Sequence, residues 1–280
     1  MGLTGKKLID LRRIRDEGDW KGLVALVFVF LTLTLIFYRL PVGIDWRNAY
    51  RAARDLRHYD RVDFIGIPFS LLLVPHIWLP LRLANAVNLM LNFSIPMVLM
   101  YKYRVGIIGI LAVYLCPPFF VQMTTNNIEW LPLVGFLLPP VVGTALIAVK
   151  PQALGGVVLI WIKRRGLKVL VLLPIVALVT VAVWGLTPLR VIQQAKTNEM
   201  VWNYAPWPVL IPVGLWLLWT AWREDDEFLA AGATPMLVPY IAGYTLPVTI
   251  TVVACKYPKL AAGITVLLWW MVVVENRRYG

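Results

Sequence analysis

The amino-acid sequence predicts an all-α protein, a polytopic transmembrane helical bundle of about 9–11 membrane segments, several of them short or broken. Three observations predict it. Of 280 residues, 60% are hydrophobic and 15% charged, against about 45–50% and about 25% in an ordinary soluble domain. A water-soluble globule of that composition would carry apolar surface it could not hide. The apolar residues also run continuously instead of alternating with period two, which argues against a β-barrel. Finally, the charges punctuate the apolar runs. Lys and Arg number 27 against 15 Asp and Glu, a net charge of +12. In a soluble chain that balance suggests nucleic acid. Here membrane topology and lipid phosphate account for it, and no nucleic-acid partner is expected.

In chain order, residues 1–22 are polar, with Lys6, Lys7, Arg12, Arg13, Arg15 and Lys21. The positive-inside rule makes them a cytoplasmic, amphipathic N-terminus on a multi-pass protein of the cell membrane. The apolar run 23–40 is too long for the h-region of a signal peptide and is read as the first span, beginning a single membrane domain over 23–280. Residues 41–81 form an outer loop with interfacial helices. Trp46, Ala49, Tyr50, Ala53 and Leu56 recur at helical spacing and Arg47, Arg51, Arg54 and Arg61 on another face. An interfacial helix with its apolar side in lipid fits that pattern. Pro68, Pro75 and Pro80 break 64–81 into interfacial or re-entrant pieces.

Further spans are expected at 83–100, 105–122, 130–138, 169–187 and 207–222, with two or three more in 228–275. The apolar stretch 141–162 is interrupted by Lys150-Pro151-Gln152. About nine apolar residues precede Lys150 and about ten follow, too few for two full spans of about 20. A hairpin of short helices or a broken helix results. With this threading Lys102, Arg104, Lys163, Arg164, Arg165 and Lys168 all fall inside.

Four constellations can carry chemistry. Asp45, at the outer end of the first span, suits either a general base or the cap of the following helix. Arg47, Arg51 and Arg54 suit a phosphate, or equally phospholipid headgroups and the acids Asp55, Asp60 and Asp63. Lys150 at membrane depth must snorkel, pair or bind an anion. Asn126, Asn127 and Glu129, with Gln152 beside Lys150, suit sugar hydroxyls or, more plainly, loop and cap roles. Trp202, Tyr204 and Trp207 fit an interfacial aromatic belt or sugar stacking. His58 and His76 lack a second ligand set nearby, and Cys116 and Cys255 lie far apart in apolar runs, so neither a metal site nor a disulfide is expected. No phosphate-binding glycine loop, nucleophile elbow or dinucleotide fingerprint occurs.

Ile44-Asp45-Trp46 followed by Tyr50, Ala52 and Ala53 resembles the start of the first outer loop in GT-C membrane glycosyltransferases, most nearly the family 87 polyprenyl-phosphate-mannose-dependent proteins. LLLVPHIWLPLRLANAVN (71–88), PPFFVQMTTNNIEWLPLVGFLLPP (117–140) and AVKPQALGGVVLIWIKRR (148–165) resemble the same family. The likeness covers residues 40–165, and the rest matches by hydropathy alone. It implies a GT-C-like fold and inverting transfer of a mannose-like hexose from a polyprenyl-phosphate donor to an acceptor on the outer face. Asp45 is then the base. Lys150, Arg47, Arg51 and Arg54 are candidates for the donor phosphate, and Asn126, Asn127, Glu129 and Gln152 for substrate binding. The implied partners are the lipid-linked sugar or another anionic lipid, and membrane lipid. No cofactor is implied, and the need for a divalent cation stays open. The chain departs from the family in its 280-residue length, in lacking a Gly-Gln pair near Asn126-Asn127 and in having no large outer domain. A reduced, non-catalytic GT-C-like subunit that scaffolds a membrane complex or binds lipid is therefore the alternative.

Overall fold

The computed structural model describes residues 20–56, 69–186 and 203–279. The expected N-terminal amphipathic segment, Arg61, His58, Asp60, Asp63, Pro68 and Trp202 lie outside these residues. Within them the chain is helical, with no strand and 14 α-helices. α1 is Trp20–Tyr38 and α2 Ile44–Arg54. A single turn α3 (Phe69–Leu72) and a 3₁₀ turn (Pro75–Trp78) lead to α4 (Leu81–Lys102). Then come α5 (Ile107–Tyr114), α6 (Pro117–Thr125), α7 (Trp130–Leu137), α8 (Pro140–Ile147) and α9 (Pro151–Arg165). After a 3₁₀ turn, α10 is Leu172–Trp184, followed by α11 (Ile211–Glu224) and α12 (Glu227–Leu237). A turn at Gly243–Thr245 precedes α13 (Leu246–Ala254) and α14 (Pro258–Tyr279).

Two helical stretches, Leu81–Lys102 and Leu167–Trp184, are long and apolar enough to cross a membrane. A third crossing is available if α5 and α6 count as one span bent by 53°. Pro117 and Pro118 cause that break. Neither can donate to the preceding turn, so α5 stops at Tyr114 and α6 restarts with Pro117 in its first turn.

Small residues fix the tightest contacts. A Cβ on Gly143 would overlap the carbonyl oxygen of Gly135, so α7 and α8 fold against each other with backbones touching. A Cβ on Gly156 would overlap the carbonyl oxygen of Ala230, which brings α9 and α12 equally close. Leu154, just before Gly156, leaves helical geometry (φ −138°, ψ 18°), and the Gly156 N–H donates instead to Thr234 Oγ1 at 3.0 Å. The kink in α9 therefore costs no unsatisfied donor at that residue. Lys150 stands at the junction of α8 and α9, so the interrupted stretch 141–162 resolves into a short helix followed by a kinked one.

The amphipathic segment at 44–54 requires a correction. Its apolar side does not face lipid. Trp46, Ala49, Ala52 and Ala53 are buried in a core with Leu71, Val74, Ile77, Ile128 and Trp130. Alanine at three of these positions lets the helix backbone approach its neighbours, and the indole of Trp46 stacks on His76 at 5.3 Å with rings 7° from parallel. Arg47, Arg51 and Arg54 are exposed on the other side.

At the opposite end of α9 a charged cluster ties three junctions together. Arg164 pairs with Asp225 (2.8 Å) and Glu227 (2.6 Å). Asp226 caps α12 through Phe228 and Leu229 N–H and also holds Lys256 and Tyr257. Burial works to raise its carboxyl, but these donors outweigh it and hold Asp226 below its ordinary range.

Candidate functional site

Polar residues deep in the bundle must find partners, because an unmade hydrogen bond there costs about 1–3 kcal/mol. On α4, Asn85, Asn88 and Asn92 recur at intervals of three and four and share one face. All three are buried. They close on Asn126, which ends α6 in the left-handed conformation (φ 56°, ψ 54°) that asparagine tolerates. Asn126 Nδ2 donates to Asn85 Oδ1 at 2.8 Å, and Asn88 Nδ2 donates to Asn126 Oδ1 at 2.8 Å. Asn92 Nδ2 donates to the Asn127 carbonyl at 2.6 Å. Gln122 Nε2 donates to Asn92 Oδ1 and Trp130 Nε1 to Asn88 Oδ1. This amide lattice holds the 126–129 loop in one shape.

That shape presents Asn127 to Asp45. Asn127 Nδ2 donates to Asp45 Oδ2 at 3.0 Å, and Tyr244 lines the same cleft wall. Asp45 sits in the first turn of α2, where its charge suits the helix dipole, but it caps nothing: the N-cap is Gly43, with no side-chain cap bond. Its carboxylate is turned toward the rest of the site instead. Gly43 is held by the same lattice, its N–H donating to Asn85 Oδ1 at 3.2 Å. A Cβ there would overlap the carbonyl oxygen of Thr125. Gly43→Ala should therefore push α2 off the α6 terminus, at a cost of about 1–3 kcal/mol, and displace Asp45. Thermal melting in detergent checks this, and an unchanged midpoint would refute it.

Lys150 occupies the N-cap position of α9. Its ammonium pairs with Glu129, which is wholly buried, and lies 5.1 Å from the Tyr244 ring centroid. Thr245 Oγ1 donates to the same Glu129 oxygen, Oε1, at 3.1 Å. Glu129 Oε2 has no partner among the described residues.

These elements wall a cleft of about 690 Å³, lined by Asp45, Asn127, Lys150, Gln152, Tyr240 and Tyr244 among mostly apolar neighbours. Leu159, Leu218 and Leu237 supply much of the remaining wall, from α9, α11 and α12. The cleft thus joins a carboxylate and an ammonium among mostly apolar walls.

Of the residues singled out by sequence, Asp45, Asn127, Lys150 and Gln152 meet in this cleft. Asn126 and Glu129 lie behind its wall, the first within the amide lattice and the second as the partner of Lys150. The arginines do not join it. Arg54 donates to Tyr50 Oη at 2.7 Å and to the Trp78 carbonyl at 3.2 Å, with its guanidinium over both aromatic rings. Tyr204 and Trp207 are exposed, apart from the cleft wall. Sequence reasoning missed the Asn85, Asn88 and Asn92 face. Three amides at helical spacing in an apolar run were the available signal, since each needs a partner at that depth.

His76 joins the lattice through Asn88 Oδ1 at 3.3 Å. Burial pulls its pKa from 6.5 down to about 4, against the Asn88 hydrogen bond, which works to raise it. Its folded value is depressed, so the unfolded chain takes the proton first as pH falls. The associated stability is complete above about pH 6.5 and lost progressively down to about pH 4, to a total of about 3 kcal/mol. Melting curves across that window should show the loss, and His76→Gln should flatten it. An equal slope in both proteins would contradict the assignment.

No protein-family model, no curated protein and no solved structure matches this chain.

Proposed function

We propose that the chain is a polytopic membrane protein that transfers a mannose-like hexose from a polyprenyl-phosphate donor to an acceptor on the outer face, with a GT-C-like architecture. The observation that carries this reading is the meeting of Asp45 and Lys150 in one largely apolar cleft, although 105 positions separate them in sequence. An inverting transfer needs a carboxylate to take the acceptor hydroxyl proton and a cation to hold the departing phosphate. Asp45 fills the first role and Lys150 the second. Asn127 orients Asp45, and Gln152 stands beside Lys150 for sugar or phosphate oxygens. The apolar wall suits an isoprenoid chain.

The membrane setting is supported by the outward sides of the peripheral helices. Phe28, Leu31 and Leu35 on α1, Leu178 and Val183 on α10, Trp216 and Trp219 on α11, and Val266 and Trp270 on α14 are all exposed. Lipid is the environment in which such a band is stable. The exposed arginines of α2 suit phospholipid headgroups at the boundary.

Incubating the purified protein with polyprenyl-phosphate hexoses and an acceptor extract tests the reading: sugar transfer or release is expected. Absence of both, with the donor still bound, would instead favour the non-catalytic subunit. One observation already points that way, since the charge of Lys150 is balanced by Glu129 before any ligand arrives.

A further inference from the structure

A cation already neutralised by a buried carboxylate is a poor anion receptor. Lys150 lines the cleft, but Glu129 stands behind it and is not part of the wall. An arriving phosphodiester would meet Lys150 and Glu129 as a balanced pair, with Asp45 adding a negative charge nearby. The anion would have to share the ammonium with a carboxylate that water cannot reach. Glu129 has one way to yield. Oε1 accepts from Lys150 and Thr245, whereas the equally buried Oε2 has no partner among the described residues. A proton can therefore settle on Oε2 without displacing an existing hydrogen bond, and Lys150 is then free to turn its charge toward the ligand.

Resting on the donor reading above, we propose that Glu129 is a proton-coupled latch on Lys150, so that a phosphodiester monoanion binds the cleft together with one proton taken up by Glu129. Geometry carries the idea: a buried pair, one partner on the cleft wall, the other with a vacant oxygen. Burial works in the same direction by raising the Glu129 carboxyl, against the pull of Lys150 and Thr245. The other titratable groups facing Glu129 are Lys150 itself, Asp45 of α2, and Tyr240 and Tyr244 of the 238–245 segment. His76 lies beyond Trp130, 6.0 Å from its ring. Among these, Asp45 is the competing proton acceptor, and the test separates the two carboxylates.

The probe is a farnesyl hexosyl phosphodiester, bound to the full chain in detergent micelles and followed by calorimetry in buffers of different ionisation enthalpy. The wild type should take up about one proton, with Kd rising about tenfold per pH unit on the alkaline side. Glu129→Gln should take up none, lose the pH dependence and bind about tenfold or more tighter at about pH 8. Asp45→Asn should still take up the proton. If it does not, the proton belongs to Asp45 and the latch is wrong. Should Glu129→Gln leave Lys150 too exposed to strain to purify, proton uptake by the wild type and by Asp45→Asn still decides. Binding without proton uptake, equal in wild type and Glu129→Gln, overturns the latch and leaves the donor reading standing. If phosphatidylglycerol binds as tightly as the probe and with the same uptake, the latch holds and the site belongs to headgroups, so the donor reading falls. No binding at any pH in any of these proteins removes both.

Discussion

Asp45→Asn should reduce the proposed hexose transfer by about 10²–10⁴-fold, the range a positioned general base supplies, with little change in stability. The substitution keeps size and shape. Asn127 Nδ2, which now donates to Asp45 at 3.0 Å, retains an acceptor in the new amide oxygen. What is lost is the ability to accept a proton from an acceptor hydroxyl. Donor binding should survive, because Lys150 is the group proposed to hold the phosphate. Measuring transfer and donor binding side by side separates the two roles. A variant that transfers at the wild-type rate would remove Asp45 from the chemistry. A variant that loses donor binding as well would make it a binding residue instead.

Lys150→Met should destabilise the protein by about 3–5 kcal/mol, the usual cost of stranding one member of a buried pair. Glu129 is wholly buried and Thr245 is its only other donor among the described residues, so the carboxylate would face apolar surroundings nearly alone. Replacing both members, Lys150→Met with Glu129→Gln, should recover most of the loss, since a shape-matched neutral pair leaves no stranded charge. Melting midpoints of the two variants make the comparison. A single variant as stable as the parent would mean that Glu129 is not charged behind Lys150, and a double variant as unstable as the single would mean that packing, not charge, is at stake. Neither variant should bind a phosphodiester tightly, because both lack the ammonium.

The sequence legibly marked the elements and two ends of the site. Continuous apolar runs and proline punctuation located α4, the α5–α6 pair, α7, α8 and α9 within a few residues, because proline and membrane-scale hydropathy are local signals. Lys150 stood out for a similar reason: an ammonium in an apolar stretch demands an explanation wherever the chain goes. Partnership was not legible. That Glu129 answers Lys150, and that Asn127 answers Asp45 across 82 positions, depends on the closing of the α4–α6 amide lattice. The α2 face misled because amphipathic periodicity looks the same whether the apolar side meets lipid or protein. Alanines 49, 52 and 53 were the better clue, since small residues in an apolar stripe suit close helix packing more than lipid insertion. The arginine face is regular in sequence, but rotation about the α2 axis points it away from Asp45's cleft.

The contact between Gly156 and the Ala230 carbonyl oxygen sets main chain against main chain where α9 meets α12. Gly156 also lines the cleft, so the spacing of the two helices at its wall is gauged like a calliper by atoms that every amino acid shares. Drift in the neighbouring side chains can alter the lining yet leave that spacing untouched, whereas a side chain at Gly156 would force it wider.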